Sequence, residues 1–454
     1  MMTPTADRIP GLREWPLLGS APALRRDPLG VHARVARECG PIGCFHLGPL
    51  RAVLLNSPDL IRSFLLDHAR DYDKGTYLHR AFDPFARRGL FVSEGELHRT
   101  QRKLVAPLFQ PRRVAGYADT IVAHADRLGS SLAEGQTLDL APALADLGMI
   151  VVTDVLLGTD VPGEPDELRE AVDVVLGWLG HALTGVVPVP LWVPTPRNRR
   201  ANRARAMLHQ RLGGLIASRR ASAAARGDLL SALLLAHDEE GRGMDDEQIY
   251  DEVLTAFIAG HETMANALAW TFALLTRHPD CYDRLQREVD GALAGRAPTL
   301  ADLPRLPYAL QVFKEAMRLY PPAPAVVRIA LRDTALGGYP IRKGTAVLVS
   351  LYVLHRRAED FPDPERFDPD RFSPERERQL PRYAYLPFGA GHRTCIGSHF
   401  ALLEGHLIVA TLAARVRFEA LGAAPLAPEF ALTLRPKGGV PVRVRRHAAA
   451  LPQA

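Results

Sequence analysis

Apolar positions recur along most of this chain at three- and four-residue steps. Two-residue alternation is confined to short stretches, so the pattern predicts a mainly α protein with a small β region. Residues 1–30 are rich in proline and read as an extended lead-in. A helix over 31–39 stops at Gly40-Pro41, and strands near 42–47 and 51–55 flank a turn at Gly48-Pro49. Pro58 to His68 reads as a helix. Residues 72–96 show no clean period and read as a loop with several aromatics, among them Tyr77, Phe82, Phe85 and Phe91. Glu96 to Phe109 reads as a basic helix with His98 and Arg102 on one face. Residues 117–236 are mostly helical and rich in Ala and Leu. They are interrupted by the proline-rich Val186 to Pro196, with Trp178 and Trp192 on either side. Arg197 to Arg220 reads as a basic amphipathic helix whose face is solvated rather than resting on a membrane surface, and Gly227 to Leu230 opens a short helix.

The longest helix is predicted over 246–277, capped by Asp245 or Asp246 and ended by His278-Pro279. Its length would be roughly 48 Å at 1.5 Å per residue. Pro307 to Tyr320 is a further helix, cut off by Pro321-Pro322, and a strand-like run follows to Leu331. Paired strands are expected over 334–354, a helix over Ser398 to Ala414, strands over 428–446 and a tail over 447–454. The whole, residues 1–454, reads as one domain.

Composition narrows the classes. The chain has 454 residues, 47% hydrophobic and 24% charged, as in a globular protein with a large core. Cys39, Cys44, Cys281 and Cys395 form no CxxC pair, which suits a reducing cytoplasm. The first 18 residues lack an apolar signal region. The most apolar segment, Met264 to Thr276, is too short to span a bilayer, so no membrane anchor is expected. The net charge of +5 and pI near 9.1 come with basic clusters such as Arg99 to Lys103 and Arg112-Arg113. These read as a solvated surface or as a docking face for an acidic protein. No nucleic-acid motif accompanies them.

Several stretches carry candidate chemistry. Phe388-Gly389-Ala390-Gly391-His392-Arg393-Thr394-Cys395-Ile396-Gly397 sets one cysteine between glycines, two residues after an arginine. It lacks the third glycine of a dinucleotide loop and the lysine of a phosphate loop. Cys395 can then be a nucleophile, a buried apolar residue or a thiolate ligand of a metal or haem iron. In the long helix lies Ala259-Gly260-His261-Glu262-Thr263. A mid-helix Gly costs about 1 kcal/mol against Ala. Close approach of a flat ligand or tight helix packing would explain Gly260. His261-Glu262 begins an H-E-x-x-H zinc motif, which fails because position 265 is Ala. Glu315 and Arg318 stand three apart on one helix face. Two Pro-x-Arg-Phe runs follow, at Pro364 to Phe367 and Pro369 to Phe372.

Together these stretches resemble the cytochromes P450, and the resemblance covers nearly the whole chain. The cysteine loop matches F-x-x-G-x-R-x-C-x-G, the helix segment matches A-G-x-[DE]-T, and Glu315/Arg318 match E-x-x-R. Phe367 to Phe372 matches F-x-P-x-R-F, which makes Arg371 the partner of Glu315 and Arg318. His98 stands where the family's W-x-x-x-R pattern usually has Trp.

The resemblance implies the P450 fold, with haem b between the long central helix and the helix after the cysteine loop. Cys395 would ligate the iron, favoured by the dipole of the following helix. Phe388 would pack near the sulfur ligand, and Gly397 would belong to the haem-binding loop. His98, Arg102, Arg328 and Arg393 would face the haem propionates. Ala259 and Gly260 would leave room for O2, Thr263 would hold a water, and Glu262 would feed protons. Phe82, Phe85, Trp178, Leu179, Phe257, Val326 and Leu432 would line an apolar substrate pocket suited to a terpenoid, fatty acid or macrolide. Phe430 to Leu434 would be a hairpin tip reaching it. With no room for a fused reductase after residue 446, NAD(P)H electrons would arrive through a ferredoxin or flavodoxin docking near the Cys395 face. Arg102, Arg112 and Arg113 are candidate contacts. The reaction would be hydroxylation or epoxidation with O2. A peroxide-dependent peroxygenase or haem-thiolate isomerase is the alternative, and a non-catalytic haem-binding sensor a more distant one.

Overall fold

The computed structural model describes residues 8–158, 165–184, 189–222, 227–238, 240–422 and 425–447. Contacts divide the chain into two compact units, residues 1–75 with 314–395, and residues 76–313 with 396–454.

The first unit is built on a five-stranded sheet in the order Ile42–Leu47, Leu50–Leu55, Ala346–Ser350, Ala325–Ala330, Tyr72–Asp73. The first two strands form an antiparallel hairpin with Leu47 opposite Leu50. Ala346–Ser350 runs parallel to Leu50–Leu55 and antiparallel to Ala325–Ala330. Its β-branched Val347 and Val349 are fully buried in one apolar cluster with Val53, Leu55 and Phe64. The helix Pro28–Cys39 starts on Asp27, whose carboxylate accepts from the Gly30 amide, and lays Val31 and Val35 on Phe45 and Leu54. Gly337 and Gly338 both take positive φ, 57° and 83°. They make the tight turn between Thr334–Leu336 and Tyr339–Ile341 that such backbone angles allow. The helix Pro58–Arg62 continues as a wider π turn, Ser63–Asp67.

The second unit is organised around the helix Asp246–Leu275, capped by Asp245, whose carboxylate accepts from the Gln248 amide at 2.7 Å. From Met264 to Leu275 every residue of this central helix is buried. Leu140–Leu157 packs along it, and Pro196–Ser222, Ser398–Arg415 and Leu229–Leu235 add further faces. A three-stranded sheet, Thr137–Asp139, Pro441–Arg446 and Val416–Ala420, and a hairpin, Pro428–Phe430 with Leu434–Pro436, complete the β structure.

Four expectations need correction. Residues 72–96 are not a loop throughout, because Gly75–Ala86 is a helix. Leu78, Ala81, Phe82, Phe85 and Ala86 form its apolar stripe at helical spacing, and Pro84 removes one hydrogen bond without ending the helix. Arg197 to Arg220 is not merely solvated. Arg219 is buried, with Nη1 2.7 Å from Asp228 and Nη2 donating to the Leu157 carbonyl at 2.7 Å. The one described helix long and apolar enough to cross a membrane is Leu140–Leu157, not 264–276. Ten of its residues are buried in the second unit, as in a core helix. Val416–Ala420, Thr137–Asp139 and Tyr72–Asp73 are strands that periodicity did not reveal. The stretch 186–196 lies partly outside the described residues. Trp178 is buried, whereas Trp192 is 82% exposed.

Candidate active site

Residues 388–395 of the cysteine loop belong to the first unit, and Ile396 and Gly397 to the second. The Cys395 amide donates to the Phe388 carbonyl at 2.8 Å and closes the loop, with a single helical turn at Gly391–Arg393 inside it. The Thr394 hydroxyl lies 3.3 Å from the same carbonyl. Gly389 and Gly391 take φ of 68° and 74°, which a side chain would strain. A Cβ on Gly391 would also stand 2.2 Å from the Leu65 carbonyl oxygen, so no other residue fits there. The Leu386 amide, just upstream, donates to His355 Nε2 at 2.9 Å. The result is a rigid, backbone-held loop that leaves Cys395 exposed while Cys44 is buried. The reading of Cys395 as a packed core residue therefore fails.

Beneath that loop in sequence order lies a buried charge network. Glu315 and Arg318 are both fully buried and meet through two hydrogen bonds, Nε to Oε2 at 2.7 Å and Nη2 to Oε1 at 2.8 Å. Arg371 Nε is 3.5 Å from Glu315 Oε1. The remaining Arg318 donors reach the carbonyls of His355, Pro364 and Arg366. The Asp368 amide donates to Glu315 at 2.9 Å. The side chain of Arg371, not that of Arg366, joins this network. Arg328 and Val326 lie on the strand Ala325–Ala330 and are half-buried.

The second unit carries the helix residues. Gly95–Val105 holds His98, which is 3% exposed, and half-buried Arg102. The turn before it is clamped to the central helix. Asp251 accepts from the Arg88 amide at 2.7 Å and Glu252 from the Leu90 amide at 3.0 Å, while Gln101 Nε2 donates to the Arg88 carbonyl. Burial pushes the Asp251 carboxyl up to about 6 and Glu252 up to about 8. The sequence offered no signal for this clamp, because backbone amides leave no residue signature.

In the central helix the Thr263 hydroxyl donates to the Ala259 carbonyl at 2.6 Å, one turn back. A Cβ on Gly260 would meet Val152 Cγ2 at 3.0 Å, so tight packing on Leu140–Leu157 accounts for this glycine. His261 Nε2 is 3.1 Å from the Ala145 carbonyl, and the ring is buried. Glu262 Oε1 accepts from the Thr433 hydroxyl at 2.7 Å. Burial holds its carboxyl above the usual range, partly offset by that hydrogen bond. Gly397 caps Ser398–Arg415.

Phe82, Phe85, Trp178, Leu179 and Phe257 are buried in one apolar cluster, with Leu432 packed against it. Phe85 and Trp178 meet edge to face at 5.3 Å. Val326 belongs to the other unit. A separate cavity of about 760 Å³ has Phe85 in its wall together with the charged Arg87, Arg205, Glu247 and Asp251 and with His209. It is not that apolar cluster.

The profile of the cytochrome P450 family matches residues 9–440. The chain belongs to the cytochrome P450 family. Curated relatives agree over nearly their whole length. Cyclooctat-9-en-7-ol 5-monooxygenase of Streptomyces melanosporofaciens is 39% identical over 427 residues, 92% of either chain. Cyclooctatin synthase of the same organism is 36% identical, covering 95% of this chain and 97% of its own. Pentalenene oxygenase of Streptomyces avermitilis is 34% identical, covering 88% and 89%. This P450 is a monooxygenase, an oxidoreductase of the haem-iron class.

The residues present fit a haem group. A thiolate ligand must be reachable, and the Cys395 side chain is exposed in a loop fixed by its own backbone.

Proposed function

We propose that this P450 inserts one atom of O2 into a terpenoid ring hydrocarbon or its alcohol, with electrons from a separate iron–sulfur or flavin protein. The observation that carries the substrate class is the likeness to relatives whose names describe oxygenation of cyclooctatenol and pentalenene, both terpenoids. The apolar cluster of Phe82, Phe85, Trp178, Leu179, Phe257 and Leu432 supports it, since such walls hold hydrocarbon and no charged head group.

In this reading Cys395 ligates the iron, with Phe388 and Gly397 shaping the loop. His98, Arg102, Arg328 and Arg393 neutralise the haem carboxylates. The bound haem supplies O2 binding and two-electron oxidation. The sum is substrate, O2, two electrons and two protons in, oxygenated product and water out. Ala259 keeps the helix wall low while Gly260 lets the helix pack close on Leu140–Leu157, Thr263 holds a water through its hydroxyl, and Glu262 supplies the protons.

The substrate class is tested by titrating purified protein with a cyclic terpene alcohol, a long-chain fatty acid and a macrolide. Displacement of water from the iron shifts the Soret band. The terpenoid should bind at least about tenfold more tightly than the others, about 1.4 kcal/mol. A saturable shift with the fatty acid or macrolide alone overturns the terpenoid reading.

Arg112 and Arg113 are exposed on the short helix Pro111–Val114, which packs on Ser398–Arg415 within the second unit. They suit an acidic ferredoxin or flavodoxin. Arg112→Glu with Arg113→Glu should slow reduction by about tenfold at low salt, and less at high salt, because steering is screened. Substrate affinity should not move. An unchanged reduction rate refutes the docking face.

A further inference from the structure

Glu262, Asn266 and Trp270 stand four residues apart on the central helix and form one stripe. All three bond to the hairpin Pro428–Pro436 within the second unit. Thr433 Oγ donates to Glu262 Oε1 at 2.7 Å, Asn266 Nδ2 donates to Thr433 Oγ at 2.8 Å, and Trp270 Nε1 donates to the Leu434 carbonyl at 2.8 Å. Asn266 and Thr433 are buried. The Asn266 bond sets the direction of the next one. An amide nitrogen only donates, so the Thr433 oxygen is the acceptor from Asn266. The single Thr433 hydroxyl proton is left to point at Glu262 Oε1. With Thr433 donating, Oε1 is the acceptor, so a proton carried by the carboxyl is left to Oε2. The other oxygen, Oε2, is buried with no hydrogen-bond partner among the described residues.

We propose that Thr433 and Asn266 are positioning residues for proton delivery. They occupy Glu262 Oε1 so that the transferable proton of this acid is carried on Oε2. This deepens the proposed function and rests on Glu262 being the proton donor there. A carboxyl with two free oxygens can rotate and present its proton either way, whereas one held by a buried donor cannot. The chain can therefore hold a half-buried acid in one orientation without a salt bridge. The charged groups that bear on Glu262 are Arg435, on the hairpin, and Asp173, on the helix Pro165–Thr184. Neither gives it a hydrogen bond. Each proton that Oε2 gives up is replaced by one from solvent that enters the site during turnover, so the carboxyl ends each cycle unchanged.

The test uses the haem-loaded enzyme with its reductase system and two readouts. Infrared spectroscopy follows the protonated carboxyl band of Glu262, identified by its loss in Glu262→Gln. Coupling is the share of NAD(P)H electrons that reach product rather than hydrogen peroxide. A hydroxyl donor stabilises the carboxylate more than the neutral acid. In Thr433→Val the titration midpoint of the band should therefore rise, by about one pH unit. Coupling should fall by about fivefold to tenfold, the scale of one lost hydrogen bond. Thr433→Ser keeps the hydroxyl and should restore both. If Thr433→Val does not fold, Asn266→Leu frees the hydroxyl to rotate and should move both readouts in the same direction, by less. An unmoved midpoint, or a raised midpoint with native coupling, overturns the inference. Native coupling in Glu262→Gln instead removes Glu262 from the proposed mechanism. Poor coupling in Glu262→Gln with native coupling in Thr433→Val defeats only the positioning role.

Discussion

Cys395→Ala should abolish the red-shifted Soret band of the reduced, carbon monoxide-treated protein, and with it all monooxygenase turnover. The geometry makes this a clean substitution. The side chain is exposed, and the loop is closed by the Cys395 amide and the Phe388 carbonyl, so removing the sulfur leaves the backbone bonds intact. Helical content by circular dichroism should stay close to native, because the substitution removes the iron ligand and leaves the loop backbone bonds in place. Cys395→His offers a nitrogen in place of the thiolate. It should retain haem while losing the red-shifted band, since the shift depends on electron donation from sulfur. Cys44→Ala is the control. Cys44 is buried, with its thiol 3.7 Å from the Ile9 carbonyl. That variant should lose some stability through the small cavity and keep the band. A native band in Cys395→Ala would mean that another residue binds the iron, and the assignment of the loop would fall.

The loop was legible because its chemistry is local. Ten consecutive residues carry both the ligand and the glycines that bend the backbone around it. The central helix was legible for a similar reason, with Asp245 as cap and His278-Pro279 as stop. What escaped was of two kinds. Gly75–Ala86 was missed because its apolar stripe from Leu78 to Ala86 covers only part of 72–96, and the aromatics on either side blurred the period. Pro84 lies two residues before the helix ends, so it removes one amide hydrogen bond and leaves little helix beyond it to disturb. The Thr433 contact with Glu262 joins positions 171 residues apart, and nothing near Thr433 marks it. Asn266 did carry a signal. It is a polar residue one turn after Glu262 in an otherwise apolar helical run, and such a residue must find a buried partner. The clamp on Arg88 and Leu90 had none, because the acceptors bond to main-chain amides. Side-chain pattern reveals helices and motif chemistry; it is silent on bonds between side chains and distant backbone.

Arg318→Leu should be the most destabilising single substitution in the first unit. Arg318 and Glu315 are both fully buried, and five hydrogen bonds satisfy the guanidinium: two to Glu315 and one each to the His355, Pro364 and Arg366 carbonyls. Removing one member of a buried ion pair costs about 3–5 kcal/mol, because the other charge stays behind in a poor solvent. Arg371, at 3.5 Å, is too far from Glu315 to take over the two short bonds. The urea midpoint should fall accordingly, with little change in slope. The pH dependence has a definite sign. Burial already raises the Glu315 carboxyl above its ordinary value, and the Arg318 bonds oppose that rise. Without Arg318 the carboxyl is raised further, so the folded variant binds a proton that the unfolded chain has released. Stability then falls as pH rises above the ordinary carboxylate range. The deficit against the native protein should be largest near pH 8 and shrink toward pH 5. Adding Glu315→Leu to Arg318→Leu removes the stranded charge and should recover part of the loss. Three carbonyls and the Asp368 amide remain without their partners, so recovery should be incomplete. A double variant no more stable than Arg318→Leu would show that the damage comes from those orphaned backbone groups rather than from the charge.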